Sequence, residues 1–243
     1  MFARNEGDHK DRPYKGFIVT DYITIAIPKG RILQDSVALF RKIGIDCEEL
    51  LSDTRKLIFE NRSQRMRYMI VRATDVPTYV EYGCADLGIV GKDTLLEQEK
   101  DLYEPLDLRF GYCRMVVAEP AELSRNDDPA GWTSIRIATK YPNFTERYFT
   151  RKGVQVEIIK LYGSIELAPL VGLADRIVDL VSTGETLRQN GLEEEETILE
   201  STCRLIVNRA SMKTRTQAIS ALIRALQGRL AAAQRGTGEG QCP

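Results

Sequence analysis

Three hydroxyl groups, one glycine and two carboxylates lie within eight residues, between Asp179 and Thr186. They follow the apolar run IVDLV at residues 177–181, which has the length of a buried strand. Asn190 and Gly191 then predict the end of a short helix. Hydroxyls and free backbone N–H groups at such a corner suit a phosphate, and Asp179 suits ribose hydroxyls or Mg²⁺. A helix cap without any ligand is the alternative. The corner consists of Ser182, Thr183, Gly184, Glu185 and Thr186.

Charged residues, together with one glycine and one tyrosine, follow other predicted strands in the same way. They are Lys29, Gly30, Arg31, Arg72, Lys92, Asp93, Lys140, Lys160, Tyr162 and Glu166. Parallel strands bring their carboxyl ends to one edge of a sheet, where α/β proteins bind ligands. Arginine makes bidentate contacts with phosphate and stacks on bases. The pattern therefore predicts a cleft for two anionic substrates, although each cation taken singly is more often a solvated loop residue.

The elements between these loops form two similar halves. Strands are predicted at residues 22–27, 68–71 and 85–90, and again at 135–139, 156–160 and 174–178. Helices separate them, one over residues 164–172 and another with Asp75 as its cap. The segments GCAD and GLAD, at 83–86 and 172–175, precede GKDTL and GETL in the same order. We predict an α/β protein with two similar open lobes around a cleft.

Composition excludes several classes of protein. Hydrophobic residues make up 43% and charged residues 28% of 243 residues, as in globular proteins. The net charge of −1 argues against general binding to nucleic acids or membrane surfaces. Without a membrane-length apolar run or a signal peptide, and with five scattered cysteines, we expect a cytoplasmic protein. His9 is the one histidine, which argues against a serine–histidine–aspartate triad.

Longer stretches resemble ATP phosphoribosyltransferase, the first enzyme of histidine biosynthesis. The similarity extends from about Ile23 to Ala210 and includes IAIPKGRI, DVPTYVEYGCADLGIVGKDTLLE, KLYGSIELAPLVGLADRIVDLVSTGETLRQNGL and RLIVN. It implies two lobes of the periplasmic-binding-protein type II kind. It also implies a pentosyltransferase reaction, in which N1 of the adenine of ATP attacks C1 of phosphoribosyl pyrophosphate (PRPP). The products would be 1-(5-phosphoribosyl)-ATP and pyrophosphate, with Mg²⁺ required.

The resemblance also implies roles for individual residues. Those expected to bind PRPP are Asp179, Ser182, Thr183, Gly184, Glu185 and Thr186. Those expected to bind ATP are Lys29, Gly30, Arg31, Arg55, Arg72 and Asp93. The catalytic set would be Asp179, Glu166 and Arg31. Mg²⁺ would be carried by the substrates, without a dedicated protein site.

The family has a long form with a histidine-sensing C-terminal domain and a short form without it. The chain after residue 212 offers one helix and a glycine-rich tail, too little for another domain. It thus resembles the short form, which acts with a regulatory subunit similar to histidyl-tRNA synthetase, and we expect a homodimer within a larger hetero-oligomer. The expected segments are 1–21 (mobile extension), 22–107 (lobe I), 108–181 (lobe II), 182–212 (return to lobe I) and 213–243 (helix and flexible tail).

Three other functions stay open from the residues alone. A different PRPP-dependent transferase would share the phosphate corner and differ in the opposite wall. A two-lobed solute-binding protein would share the lobes, but would normally be exported. A ligand-sensing domain of a regulator would bind without turnover, and would usually carry a DNA-binding segment.

Overall fold

The computed structural model describes residues 22–121 and 134–238, which form two β-sheets with flanking helices. The first sheet, the centre of lobe I, has the strand order β2 (Ile58–Asn61), β3 (Met66–Val71), β1 (Ile23–Pro28), β4 (Leu87–Gly91), β11 (Cys203–Val207) and β5 (Tyr103–Asp107). The second, the centre of lobe II, has the order β10 (Leu192–Ser201), β6 (Cys113–Pro120), β9 (Arg176–Val181), β7 (Ser134–Thr139) and β8 (Gln155–Lys160).

Helices connect the strands in both lobes. They are α1 (Arg31–Arg41), α2 (Val76–Glu81), α3 (Lys92–Gln98), α4 (Pro142–Lys152), α5 (Leu167–Leu170), α6 (Glu185–Gln189), α7 (Arg209–Thr214) and α8 (Thr216–Gly238). Two short 3-10 helices lie at Glu48–Leu51 and Ala73–Asp75. In α1, Leu33, Val37 and Phe40 recur at helical spacing and are buried against the first sheet.

The two lobes share one topology. In lobe I, β1 pairs in parallel with β3 and β4, and in lobe II, β7 pairs in parallel with β8 and β9. An antiparallel strand then joins each set, β11 next to β4 and β6 next to β9. The predicted pair of similar α/β lobes is therefore confirmed. The antiparallel strands β5, β6, β10 and β11 were not predicted.

In each lobe, an aspartate just before the third parallel strand, β4 or β9, is hydrogen-bonded to the backbone of the first parallel strand, β1 or β7. We call this arrangement the aspartate clamp. The Asp86 N–H donates to the Thr24 carbonyl at 2.8 Å, and the Thr24 N–H donates to Asp86 Oδ2 at 2.8 Å. Asp175 and Arg136 make the same two contacts in lobe II, both at 2.9 Å. The recurring Ala-Asp of GCAD and GLAD therefore has a structural cause, because its carboxylate fixes the third strand against the first.

One predicted boundary needs correction. The chain was expected to return to lobe I at residue 182, but β10 pairs with β6 along its length and stays in lobe II. The crossing falls at Thr202, between β10 and β11. This strand was not recognised because residues 193–196 are four successive glutamates. The alternation of its two faces is visible only once the partner strand β6 is known.

Two helix predictions also change. The helix expected over residues 164–172 is only the four residues of α5, because Ser164 has a left-handed φ of 50° and cannot join it. Asp75 stands at the N-cap position of α2, but its side chain makes no capping hydrogen bond. Its φ and ψ of −94° and −20° continue the preceding 3-10 turn, whereas a capping residue normally has extended φ and ψ.

The C-terminal helix α8 completes the core of lobe I. Ile219, Ile223 and Leu226 are buried in the same cluster as the β-strand residues of the first sheet. Within residues 22–121 and 134–238, none of the helices combines the length and apolarity that crossing a membrane requires. The extension expected at residues 1–21 and the end of the tail lie outside the described residues, as does His9.

The clamp of lobe I should matter more to stability than that of lobe II. Asp86 also accepts hydrogen bonds from Ser211 Oγ (2.7 Å) and Arg215 Nη1 (3.0 Å), so it ties α7 and the start of α8 to β1. Asp86→Ala is expected to lower the free energy of unfolding by about 3 kcal/mol, because several buried donors lose an acceptor at once.

Asp175→Ala is the matched control. Its carboxylate side chain is 39% exposed, against 9% for Asp86, so water replaces much of what is lost and about 1 kcal/mol is expected. Urea unfolding of both variants measures the difference. Equal losses would show that the additional contacts of Asp86 contribute nothing.

Candidate active site

A pocket of about 230 Å³ opens at the carboxyl end of β9 in lobe II. It is lined by Glu166, Asp179, Leu180, Val181, Ser182, Thr183, Gly184, Glu185, Thr186 and Leu187. All six residues expected to bind PRPP are therefore brought together, with Glu166 beside them. Larger hollows of 360 and 520 Å³ lie at the amino ends of β3 and β8. Because α/β proteins bind ligands at the carboxyl ends of parallel strands, the β9 pocket is the stronger candidate.

Gly184 gives the pocket its tight corner. It has a left-handed φ of 77° and immediately precedes α6. A Cβ atom here would lie 2.8 Å from Glu194 Oε1, so a larger residue would strain the backbone and collide with β10. The corner also keeps hydroxyls accessible, since Ser182, Thr183 and Thr186 are all exposed. The corner therefore surrounds Gly184 with hydroxyl donors, at a point where a ligand can come close to the backbone.

Asp179 is a half-buried carboxylate on β9 that faces this pocket. Burial raises the pKa of its carboxyl group, and the negative charge of Glu166 raises it further. A hydrogen bond from the Leu180 N–H, at 2.8 Å, and the positive charge of Lys140 act in the opposite direction. Two carboxylates thus share one small pocket, with a lysine from the end of β7 nearby.

An ion pair behind the corner was missed in the sequence. Arg114 on β6 holds Glu194 on β10 through two contacts, Nη1 to Oε2 at 2.6 Å and Nη2 to Oε1 at 3.0 Å. Arg114 Nη1 also donates to Thr197 Oγ1 at 3.1 Å. Glu194 is the same carboxylate that approaches Gly184, so the pair supports the corner from beneath. No local motif marks it, because both residues lie on strands that were not predicted.

Glu185 contributes less than its position in the corner suggests. Its carboxylate accepts hydrogen bonds from Arg188 Nη2 (2.9 Å) and Gln189 Nε2 (3.0 Å) on the outside of α6. The contact with Arg188 lowers the pKa of the Glu185 carboxyl group. The backbone N–H of Glu185 donates to Thr183 Oγ1 at 3.4 Å.

A second cavity of about 230 Å³ lies at the carboxyl end of β1 in lobe I. Its lining includes Lys29, Gly30, Gln34, Thr54, Lys56 and Phe59. Gly30, with φ of 88°, is the N-cap of α1, and the first turn of that helix has neither a side-chain cap nor an acidic residue. Its free N–H groups and the flanking Lys29 and exposed Arg31 form a positive end that suits an anion.

Three other residues expected to bind ATP lie close to the lobe I cavity in the chain but do not line it. Arg55 is exposed on the loop that contributes Thr54 and Lys56 to the lobe I cavity, and Arg72 is exposed at the end of β3, next to β1. Neither of them lines the cavity, and nor does Arg31.

The placement of Asp93 does not support contact with ATP. Asp93 is only 6% exposed, and its carboxylate accepts hydrogen bonds from Ser201 Oγ (2.8 Å), Thr94 Oγ1 (3.1 Å) and Tyr141 OH (3.4 Å). Ser201 Oγ also accepts from the Asp93 N–H at 3.1 Å. Since Tyr141 and Ser201 belong to lobe II, this carboxylate joins the lobes where they meet. Burial and the Asp93 charge raise the pKa of Tyr141, which therefore stays a hydrogen-bond donor.

Among the described residues, no group of three or more histidine, cysteine, aspartate or glutamate side chains is arranged to hold a metal ion. The pocket carboxylates Asp179 and Glu166 are oxygen donors of the kind Mg²⁺ prefers, and they can complete the coordination of an ion that arrives bound to phosphates.

Comparison with known proteins agrees with this geometry. A family model described as ATP phosphoribosyltransferase matches residues 72–228. ATP phosphoribosyltransferase from Citrifermentans bemidjiense is 81% identical over 207 residues, covering 85% of this chain and 98% of that protein. ATP phosphoribosyltransferase 2 from Geobacter sulfurreducens is 80% identical over 209 residues, covering 86% and 99%.

Solved structures agree as well. The ATP phosphoribosyl transferase (HisG:HisZ) complex from Thermotoga maritima contains a chain with a TM-score of 0.72 and 36% identity, covering 85% of this chain and 97% of that one. The substrate binding protein of an amino acid ABC transporter has a TM-score of 0.52, with coverage of 86% and 94%. At 14% identity this second likeness concerns the fold alone, and confirms the periplasmic-binding-protein type II architecture. With a family model over more than half of its length and relatives at 80% identity, the chain belongs to the ATP phosphoribosyltransferase family.

Proposed function

We propose that this chain transfers the phosphoribosyl group of PRPP to N1 of ATP, with PRPP in the β9 pocket of lobe II and ATP in lobe I. The observation that carries the proposal is the pocket itself, which collects Asp179, Glu166 and the whole hydroxyl-rich corner in a member of this family. The reaction forms an N1–C1 bond and breaks the bond between C1 and pyrophosphate, whose oxygen leaves with the electron pair.

The corner suits the 5-phosphate of PRPP. Ser182, Thr183 and Thr186 provide exposed hydroxyl donors around Gly184, where the backbone can approach closely. Asp179 and Glu166 on the adjoining wall are acceptors for the ribose hydroxyls. This division places the phosphate at the corner and C1 of the ribose toward the cleft.

ATP is assigned to the lobe I cavity because its wall is basic. Lys29 and the open N-terminus of α1 offer positive charge and free N–H groups to a phosphate chain. Arg31 at the start of α1 is the cation assigned to the developing charge on pyrophosphate. Arg55 and Arg72 are kept as ATP contacts, since both flank this cavity in the chain.

The chemistry requires alignment more than proton transfer. N1 of adenine is already a nucleophile with a free electron pair, so no strong general base is needed. Holding N1 in line with C1 supplies much of the acceleration, and the carboxylates of Asp179 and Glu166 stabilise the positive charge that develops on the ribose. Mg²⁺, brought by the substrates, would neutralise charge on the leaving pyrophosphate.

A regulatory subunit is proposed from the comparisons. The match to the relative from Citrifermentans bemidjiense runs over 207 residues and covers 98% of that protein, and the Thermotoga maritima relative was solved as a HisG:HisZ complex. We infer a cytoplasmic hetero-oligomer, built on a homodimer of this chain, that responds to histidine.

Turnover is the first test. The purified chain, with ATP, PRPP and Mg²⁺, should form phosphoribosyl-ATP, followed by absorbance, and the rate should rise when a synthetase-like subunit is added. Added histidine should then lower it. Binding of PRPP without product would refute this acceptor and indicate a different PRPP-dependent transferase. Turnover that no subunit changes would leave the reaction and remove the regulatory claim.

Thr183→Ala should weaken PRPP binding selectively. Loss of a hydroxyl donor to a phosphate is expected to cost about 1–3 kcal/mol, or about 5- to 150-fold in Kd. Lys29→Ala is the reciprocal control and should weaken ATP binding instead. Calorimetry with each substrate alone measures both, and an equal loss of the two affinities in either variant would contradict the assignment.

The pH profile should report Asp179. Because the pKa of the Asp179 carboxyl group is raised, its ionised form is lost at a higher pH than usual as the pH falls. We therefore expect kcat/KM for PRPP to fall on the acidic side. Lys140→Met removes a charge that lowers this pKa and should move the acidic limb to higher pH. Glu166→Gln removes a charge that raises it and should move the limb to lower pH. Shifts in the same direction would exclude Asp179 as the titrating group.

A further inference from the structure

We propose that Glu97 is a positioning residue for phosphoribosyl transfer, because its carboxylate in lobe I caps helix α4 of lobe II and so fixes the separation of the two substrate sites. The inference rests on the placement of ATP in lobe I and PRPP in lobe II proposed above.

Helix α4 begins without a cap of its own. Tyr141 occupies its N-cap position, makes no side-chain cap hydrogen bond, and is followed by Pro142. The next two N–H groups are bound from the other lobe, since Asn143 donates to Glu97 Oε1 at 3.2 Å and Phe144 donates to Glu97 Oε2 at 2.9 Å. A carboxylate that accepts two N–H groups at a helix start satisfies free donors and interacts favourably with the helix dipole.

Other contacts fix α3 against α4 over the same turn. Asn143 Nδ2 donates to the backbone carbonyl of Glu97 at 3.0 Å, and Arg147 donates to the carbonyl of Leu96. The carboxyl end of α3 therefore meets the amino end of α4 through both side-chain and backbone groups. Because hydrogen bonds are directional, these contacts are all satisfied in one relative placement of the two helices. A non-directional attraction would not specify one.

Each helix continues directly from a central strand. α3 follows β4 without a gap, and α4 follows β7 after Lys140 and Tyr141. In lobe I, β4 lies beside β1, which leads to Lys29 and the ATP cavity. In lobe II, β7 lies beside β9, which leads to the PRPP pocket. Each end of the Glu97 contact is therefore one strand away from a substrate site.

The expected effect on the reaction is specific. ATP is assigned to lobe I, and the ribose and 5-phosphate of PRPP to lobe II, so the affinity for either substrate alone should depend little on how the lobes are oriented. The transfer step does depend on it, because N1 and C1 come from different lobes and a misplacement of about 1 Å can cost about a hundredfold in rate. Loss of the contact should therefore lower kcat and leave both binding constants nearly unchanged.

The test compares Glu97→Ala and Glu97→Gln with the unaltered chain, each assayed with the synthetase-like subunit at saturation. We expect kcat to fall by about ten- to a hundredfold in Glu97→Ala, while calorimetry gives Kd values for ATP and PRPP alone within about twofold of the unaltered chain. Glu97→Gln keeps the shape and one acceptor oxygen, so it should fold and lose less. If Glu97→Ala does not fold, the Glu97→Gln measurement decides.

Glu99→Ala is the matched control. Glu99 lies at the same end of α3 and pairs with Arg147 of α4 at 3.1 Å, but its side chain is 65% exposed, so its removal should change little. An unchanged or increased kcat in the Glu97 variants would overturn the proposal, as would a parallel loss of substrate binding. No product from the unaltered chain would overturn the proposed reaction as well, so the two failures are distinguishable.

Discussion

The clamp between an aspartate and the backbone of the first strand underlies the rest of this structure. In each lobe it joins the start of the third strand to the first through two backbone-directed hydrogen bonds, one of them to a carboxylate oxygen. The loops that carry Lys29, Arg72 and the hydroxyl corner each follow one of these clamped strands or a direct neighbour. Because the clamp fixes the register of the strands at their amino ends, it also determines where Lys29, Lys140 and the corner after β9 lie at the opposite ends.

Much of this was readable from the sequence, and the parts that failed have a common cause. The parallel strands and the β9 corner are encoded locally, by apolar runs followed by glycine and hydroxyl residues. The flanking strand β10 was missed because a run of four glutamates has no alternation until Glu194 is paired with Arg114. Asp93 was expected to bind ATP because it follows a predicted strand and because of the family resemblance. Its carboxylate instead accepts hydrogen bonds from Ser201 and Tyr141, which lie 108 and 48 positions away in the chain.

The candidate pockets of the two lobes differ in their charges. The lobe II wall holds two carboxylates, which suit an electron-poor ribose carbon, and burial keeps the Asp179 carboxyl group harder to ionise than usual. The lobe I wall holds Lys29 and an uncapped helix start, which suit phosphates. This difference in charge matches the proposed reaction, in which positive charge develops on the sugar and negative charge on the leaving group.

The two recurring corners, GKDTL in lobe I and GETL in lobe II, occupy equivalent positions in the two lobes but differ in what surrounds them. The first is filled by its own chain, since the Asp93 carboxylate takes up the hydroxyls of Thr94, Ser201 and Tyr141. The second is an open pocket. Pseudo-symmetry would otherwise let a sugar phosphate dock in either of two opposed orientations. Under the proposed function, filling the corner of lobe I leaves the corner of lobe II as the place for a sugar phosphate, and so one direction for its reactive carbon.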